Sequence, residues 1–211
     1  MRDDPSTWPN GAVHHLDGAG RSPELARGYA VVLDTMLGSG RWTAPKRGGQ
    51  VAVTFPEARR WALPTKVWHT DARFTEPLEP LSGGLMLVFV DAVKPGGGGT
   101  AILAGSHRLI ARFAQSRPTV RTEKMATARK AFFRSHPWLS ALVSDDCDPE
   151  NRLARFAAEA DIDGLPARVV EVTGEPGDIV FAHPLMAHCV TPNCGDRPRI
   201  MRILRPLATA S

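Results

Sequence analysis

Residues 177–205 read GDIVFAHPLMAHCVTPNCGDRPRIMRILR. Gly177 and Asp178 turn the chain into an apolar run, a second extended run carries His188, and after a Pro192-Asn193 turn a third begins near Arg199. The same pattern of short apolar stretches, punctuated across the chain by 19 glycines and 18 prolines, recurs upstream. It predicts strands at 50–55, 65–69, 84–91, 100–103 and 168–173, joined by the closing three at 178–182, 187–191 and 199–204. Eight short strands make a mainly-β chain, a sandwich or jelly roll.

Helical spacing appears in three places. Ser22 is positioned to cap a helix with Pro23 first, and Leu25, Tyr29, Val32, Leu33 and Met36 then share one face. A second helical run begins near Thr122. A third has Asp148 as its cap, Pro149 at its first position, and Leu153, Phe156, Ala157 and Ala160 as its apolar stripe. The last two lie in an insertion at about 108–166, long enough to form a lid or wall over a site. The 211 residues, 43% hydrophobic, suit a single domain over 1–211 with one core. The longest apolar run, at 85–90, is too short to cross a bilayer, and the opening MRDDPSTW lacks a signal peptide's apolar segment, so a soluble, cytoplasmic protein is expected. Cys147, Cys189 and Cys194 form neither an even set nor a CxxC pair, which argues against a disulfide framework or a thiolate zinc site. The net charge of +4 is small and scattered, weak support for a nucleic-acid partner.

The stretch KVWHTDARF at 66–74 then places an imidazole and a carboxylate two residues apart. On a strand, His69 and Asp71 point one way and Thr70 the other. A lone HxD is a weak signal, and a hydrogen-bonded structural pair is its ordinary reading. HHLDGAG repeats the spacing at His15 and Asp17 among glycines with no strand pattern, and reads as a solvated loop. What raises the copy at His69 is His188, 117 positions after Asp71. Two histidines and one carboxylate from different strands are the ligand set of the non-haem Fe(II) oxygenases, leaving three metal positions for cosubstrate and oxygen. An arginine opening the last strand, Arg199, suits a dicarboxylate held by a bidentate pair.

With those residues in view, the chain resembles the phytanoyl-CoA dioxygenase-like Fe(II)/2-oxoglutarate oxygenases. The matching pieces are WHTD at 68–71, GGTAILAGSHR at 98–108 and the segment 177–199. The resemblance implies a double-stranded β-helix (jelly roll, cupin-like) with flanking helices and a helical insertion. It places iron on His69, Asp71 and His188, and 2-oxoglutarate on Arg199, eleven residues after the last histidine. It further implies that 2-oxoglutarate and O2 are consumed, a C–H bond of a small-molecule metabolite is hydroxylated, and succinate and CO2 are released. Related halogenases carry a small residue where Asp71 stands, so Asp71 points to hydroxylation. The family's GSH element, usually preceded by proline, follows Ala104 here, and Thr70 stands where glutamine is frequent. The family usually has more chain ahead of HxD than the 68 residues present, so part of the pocket is expected to be missing or supplied by another chain.

Other residues carry plainer readings. His183 and His107 are expected to support the site or the fold rather than touch metal, and Trp68 and Phe74 to line the pocket or fill the core. The run GGGG at 96–99 has no following helix or lysine, so it is a flexible turn and no phosphate loop. Two alternatives compete: a nucleic-acid demethylating dioxygenase, because Arg199 and Arg205 lie six residues apart, and a non-catalytic jelly-roll binding protein with a vestigial metal site. Oligomeric state has no signature in the sequence.

Overall fold

A computed structural model describes residues 4–8, 13–17, 23–43, 49–146 and 148–209. Two antiparallel sheets face each other. The larger has the order β1 (Val13–Asp17), β3 (Gln50–Thr54), β10 (Arg199–Leu204), β4 (Leu85–Phe89), β8 (Ile179–Ala182). The smaller has the order β6 (Ala160–Ile162), β7 (Leu165–Val172), β5 (Thr100–Ala104), β9 (His188–Val190). A short ribbon pairs β2 (Trp42–Thr43) with β11 (Leu207–Ala208). This is the mainly-β jelly roll expected, and β10 spans the residues its alternation predicted.

Strand periodicity explains where each face goes. On β4, Leu85, Leu87 and Phe89 point between the sheets, where they meet Ile102, Val172, Ala182 and Met201. Met86 and Val88 point outward onto Tyr29 and Leu33 of α1 (Pro23–Leu37). Both faces of β4 are therefore covered, so it reads as a continuous apolar run. Met36, expected on the same stripe, is 42% exposed, and Leu37 packs on the cluster beside it. Ser22 lies outside the described residues.

The smaller sheet is covered by four helices: α2 (Ser106–Ser116), α3 (Met125–Arg134), α4 (Pro137–Leu142) and α5 (Pro149–Ala157). Ala101, Leu103 and Cys189 face them from β5 and β9, and Leu109, Ile110, Phe132, Leu139 and Phe156 close over that face in the largest core cluster. Phe156 confirms the stripe on α5, but Ala157 is exposed and Ala160 opens β6, since the helix stops to start a hairpin at Asp163-Gly164. The buried position on that stripe belongs instead to Arg152, 2% exposed. Its guanidinium donates to the carbonyls of Ala141, Leu142 and Ser144 at the end of α4, and its Nε donates to Leu63 O at 3.0 Å. A cation on unsatisfied C-terminal carbonyls both caps and complements the helix.

The segment at 65–69 is not a strand. Val67 has φ 61°, a conformation that a β-branched residue adopts only under strain, and extended pairing stops there. Conversely, the HHLD copy is not a loop: its backbone forms β1 and pairs with β3, with His15 opposite Ala52 and Asp17 opposite Gln50. Pairing with an available edge overrode the weak local propensity of that segment. Cys189 is buried and Cys194 partly so, both as free thiols, and Cys147 lies outside the described residues. Among the described residues no helix is long and apolar enough to cross a membrane.

Candidate metal centre

His69 and Asp71 converge with His188 by a route the local alternation did not foresee. His69 pairs with β9 through a single antiparallel bridge, its N–H donating to His188 O and His188 N–H donating back to His69 O, each at 2.9 Å. Asp71 follows in a bend two residues on. The candidate ligand atoms of His69, Asp71 and His188 all lie within 4.8 Å of one another, and among the described residues this is the group that could hold a metal ion.

Each imidazole is oriented by the carbonyl two residues before it. Val67 O lies 2.9 Å from His69 Nδ1, and Met186 O lies 2.9 Å from His188 Nδ1. A carbonyl only accepts, so both Nδ1 atoms carry the proton and both Nε2 lone pairs are left for a metal. The strained turn at Val67 thus supplies one of the two orienting carbonyls. The rings sit 4.3 Å apart, tilted by 51°. Burial first, then the neighbouring His69, holds the His188 imidazole below its ordinary pKa, so at neutral pH it is the uncharged ring that a metal requires. Two imidazole nitrogens and one carboxylate oxygen fit a divalent ion such as Fe(II).

The carboxylate is oriented by a residue outside the expected ligand set. Arg205 Nε donates to Asp71 Oδ1 at 2.9 Å, leaving Oδ2 turned toward His188 Nε2 at 3.9 Å. Arg205 is itself held by Gln50 Oε1, 2.8 Å from its Nη1. The signal was present in the sequence: Arg199, Met201, Ile203 and Arg205 share one strand face.

A cavity of about 150 Å³ opens beside the histidines, lined by Leu85, Leu87, Thr100, Val190, Arg199 and Ile203 among others. Arg199 is 4% exposed, and burial lowers its pKa to about 10, so it remains a cation. Its Nε and one Nη donate to the carbonyls of Gly98 and Gly99. Two of its five N–H donors are thereby used and three remain. Among the described residues no carboxylate pairs with it. The glycine run at 96–99 does turn, with Gly97 N–H donating to Lys94 O, and its Gly98 and Gly99 carbonyls also cradle Arg199. Gly98 has φ +78°, and a Cβ there would come within 2.7 Å of Asn193 Cβ. Asn193, 1% exposed, ties this corner by donating from Nδ2 to Thr54 O and Arg197 O.

The remaining expected residues sit around this centre or apart from it. Trp68 and Phe74 are core residues, and Trp68 Nε1 donates to Pro64 O at 2.9 Å. Thr70 spends its hydroxyl on Ala72 O at 2.8 Å. His107 and His183 stack on each other, 5.4 Å apart, outside the group of three. Leu185 N–H donates to His183 Nδ1, so its Nε2–H faces Leu78 O at 3.3 Å.

A jelly roll that brings two histidines and a carboxylate together beside a buried cation is the architecture of a metal-dependent oxygenase. The sequence profile of phytanoyl-CoA dioxygenase (PhyH) matches residues 54–201, and the chain belongs to that family of Fe(II)/2-oxoglutarate-dependent oxygenases. Among solved structures, it is similar to the non-heme alpha ketoglutarate dependent carbocyclase SnoK from nogalamycin biosynthesis. That match has 19% identity and a TM-score of 0.52, over 93% of this chain and 63% of SnoK. It is also similar to EvdO2 from Micromonospora carbonacea var. aurantiaca, complexed with 2-oxoglutarate, at 17% identity and a TM-score of 0.50, over 96% of this chain and 69% of that one. These likenesses show a shared fold, and the chain spans about two thirds of each relative's length. Among curated protein sequences none matches significantly.

Proposed function

We propose that the protein is an Fe(II)- and 2-oxoglutarate-dependent dioxygenase that hydroxylates a C–H bond of a small-molecule metabolite. The observation that carries this reading is the buried, carboxylate-free Arg199 lining the same cavity as His69 and His188. A desolvated cation with unspent donors favours an anion in that cavity, and a dicarboxylate reaching from Arg199 toward the histidines meets both needs.

In this reading His69 Nε2, Asp71 Oδ2 and His188 Nε2 hold the iron, and Arg199 takes the far carboxylate of 2-oxoglutarate. With iron and 2-oxoglutarate bound, the site supplies an oxidative decarboxylation that delivers one oxygen atom of O2 to succinate and the other to R–H, giving succinate, CO2 and R–OH. The chain's own contribution is orientation and dryness. Val67 O and Met186 O fix the imidazoles, Arg205 fixes the carboxylate, and Leu85, Leu87, Val190 and Ile203 exclude water from the cavity. Asp71 occupies the place that a halogenase would leave small, which favours hydroxylation. We read 1–211 as one domain and the insertion at 108–166 as a wall beside the site: its helices are fixed through a shared core that includes Phe132, Leu139 and Phe156, and α3 lines a groove that meets the metal cavity at Val67.

The test is Fe(II)-dependent succinate release from 2-oxoglutarate, followed across a panel of small metabolites. Wild type is expected to show slow release alone and faster release with its substrate. Absence of any Fe(II)-dependent release under all conditions would instead support the vestigial, non-catalytic reading.

A further inference from the structure

On α3, Ala126, Arg129, Lys130, Phe133 and Arg134 recur at i, i+3, i+4, i+7 and i+8, which is one helix face. That face lines a groove of about 540 Å³ whose opposite walls include Val67, Trp68 and Ser140. Phe133 is buried at its base, while Lys130 and Arg134 are exposed and Arg129 is half-buried. Among the described residues no carboxylate forms an ion pair with any of the three cations. Two acids border the groove through its own residues: Asp145 accepts from the Thr65 hydroxyl and lies 3.7 Å from Lys66 Nζ, and Asp146 accepts from the Ser144 hydroxyl at 2.6 Å. The Asp145 pKa is lowered by Thr65, Lys66 and Arg152, with no part played by the α3 cations. Lys130 and Arg134, four residues apart, repel each other, and an anion between them would remove that cost.

The groove and the metal cavity share a wall. Val67, the strained residue whose carbonyl orients His69, lines both, and its side chain is 63% exposed although apolar.

We propose that this groove binds a phosphate ester carried by the substrate, with Arg129, Lys130 and Arg134 holding the phosphate while the carbon to be oxidised passes Val67 into the cavity. Two guanidinium forks and one ammonium match the three acceptor oxygens and roughly −2 charge of a phosphate monoester; a carboxylate would occupy one fork alone. The inference rests on the metal cavity being the site of oxidation, but the binding it requires does not.

Calorimetric titration of the full chain with inorganic pyrophosphate, no metal added, tests the groove alone. One saturable site is expected, weakened by added salt, with Arg129→Gln and Arg134→Gln each lowering affinity at least about tenfold and Lys94→Gln leaving it unchanged. Unaltered melting of the variants would show that they fold. No saturable binding, or binding indifferent to Arg129 and Arg134, would overturn the proposal. So would single-stranded oligonucleotides whose affinity through these same arginines grows with strand length, because that marks a nucleic-acid surface. With Fe(II) and 2-oxoglutarate, phosphorylated metabolites are expected to stimulate succinate release where their dephosphorylated counterparts do not. Equal stimulation by both overturns the substrate assignment. Loss of pyrophosphate binding alongside intact Fe(II)-dependent turnover sinks the groove alone, whereas intact pyrophosphate binding with no turnover sinks the reading of the metal site.

Discussion

Arg199→Met separates stability from function in one residue. Burial lowers the Arg199 pKa to about 10, well below the ordinary guanidinium value. At about 1.4 kcal/mol per pH unit, holding that cation in the fold costs about 3 kcal/mol. Methionine of similar length removes this cost but leaves the Gly98 and Gly99 carbonyls without their donors, at about 1 kcal/mol each. The variant's unliganded stability should therefore stay within about 1 kcal/mol of wild type. Binding is another matter. Losing a charge-assisted pair to a desolvated carboxylate costs about 2 to 4 kcal/mol, or roughly thirty-fold to several-hundred-fold in 2-oxoglutarate affinity. Anaerobic thermal melts with Fe(II) read both quantities. At about a hundred times its Kd, 2-oxoglutarate should stabilise wild type by about 2.7 kcal/mol, or about 5–10 °C, and should leave Arg199→Met nearly unshifted. A variant that keeps the shift, or whose unliganded Tm falls by more than about 10 °C, would refute the assignment of Arg199 as a strained anion receptor.

Further consequences concern the residues around that site. Arg205→Gln should weaken Fe(II) binding about ten- to a hundred-fold by releasing Asp71, a loss that competition with a chelating dye would detect; unchanged Fe(II) affinity would remove Arg205 from the account. Arg152→Ala should destabilise by about 3 kcal/mol or more, since it orphans the carbonyls at the end of α4 inside the core, and a denaturant midpoint close to wild type would contradict this. Burial, then His183 and Arg108, lowers the His107 pKa below 6.5. The unfolded chain therefore binds the extra proton first, and the contribution of His107 to stability, complete above about pH 6.5, is lost as pH falls toward the folded value. His107→Gln should accordingly flatten the fall in Tm between about pH 7.5 and 5.5, and an unchanged slope would show that other groups cause it.

The grouping of His69, Asp71 and His188 near Arg199 was legible because each belongs to a pattern that local physics preserves. Side chains along 199–204 alternate in direction as a strand's must, so the parity of Arg199, Met201 and Ile203 followed from sequence, and Arg205 continued it, although Arg202 and Leu204 on the other face are buried too. The geometry around them was not legible. HxD seemed to need a strand of its own, yet Val67 breaks that strand and uses the turn to aim a carbonyl at His69. Whether a chain accepts a β-branched residue at positive φ depends on the surroundings that hold it there, which no window of sequence contains. The glycine run was opaque for a similar reason, because its partners Asn193 and Arg199 lie about a hundred residues away. Two helices went unread. In α2 the N-cap is Gly105 at φ +87°, which offers no side chain to cap the helix. In α4 the cap is His136, whose Nδ1 accepts from Trp138 N–H, an uncommon residue in that role.

The central claim is that His69, Asp71 and His188 bind iron as one unit beside a 2-oxoglutarate site. It is tested most directly by measuring succinate formed from 2-oxoglutarate under Fe(II) and air, in wild type and His188→Ala, each shown to be folded. The account predicts slow, Fe(II)-dependent succinate formation in wild type and none above the protein-free background in His188→Ala. Equal succinate formation by the two proteins would contradict it.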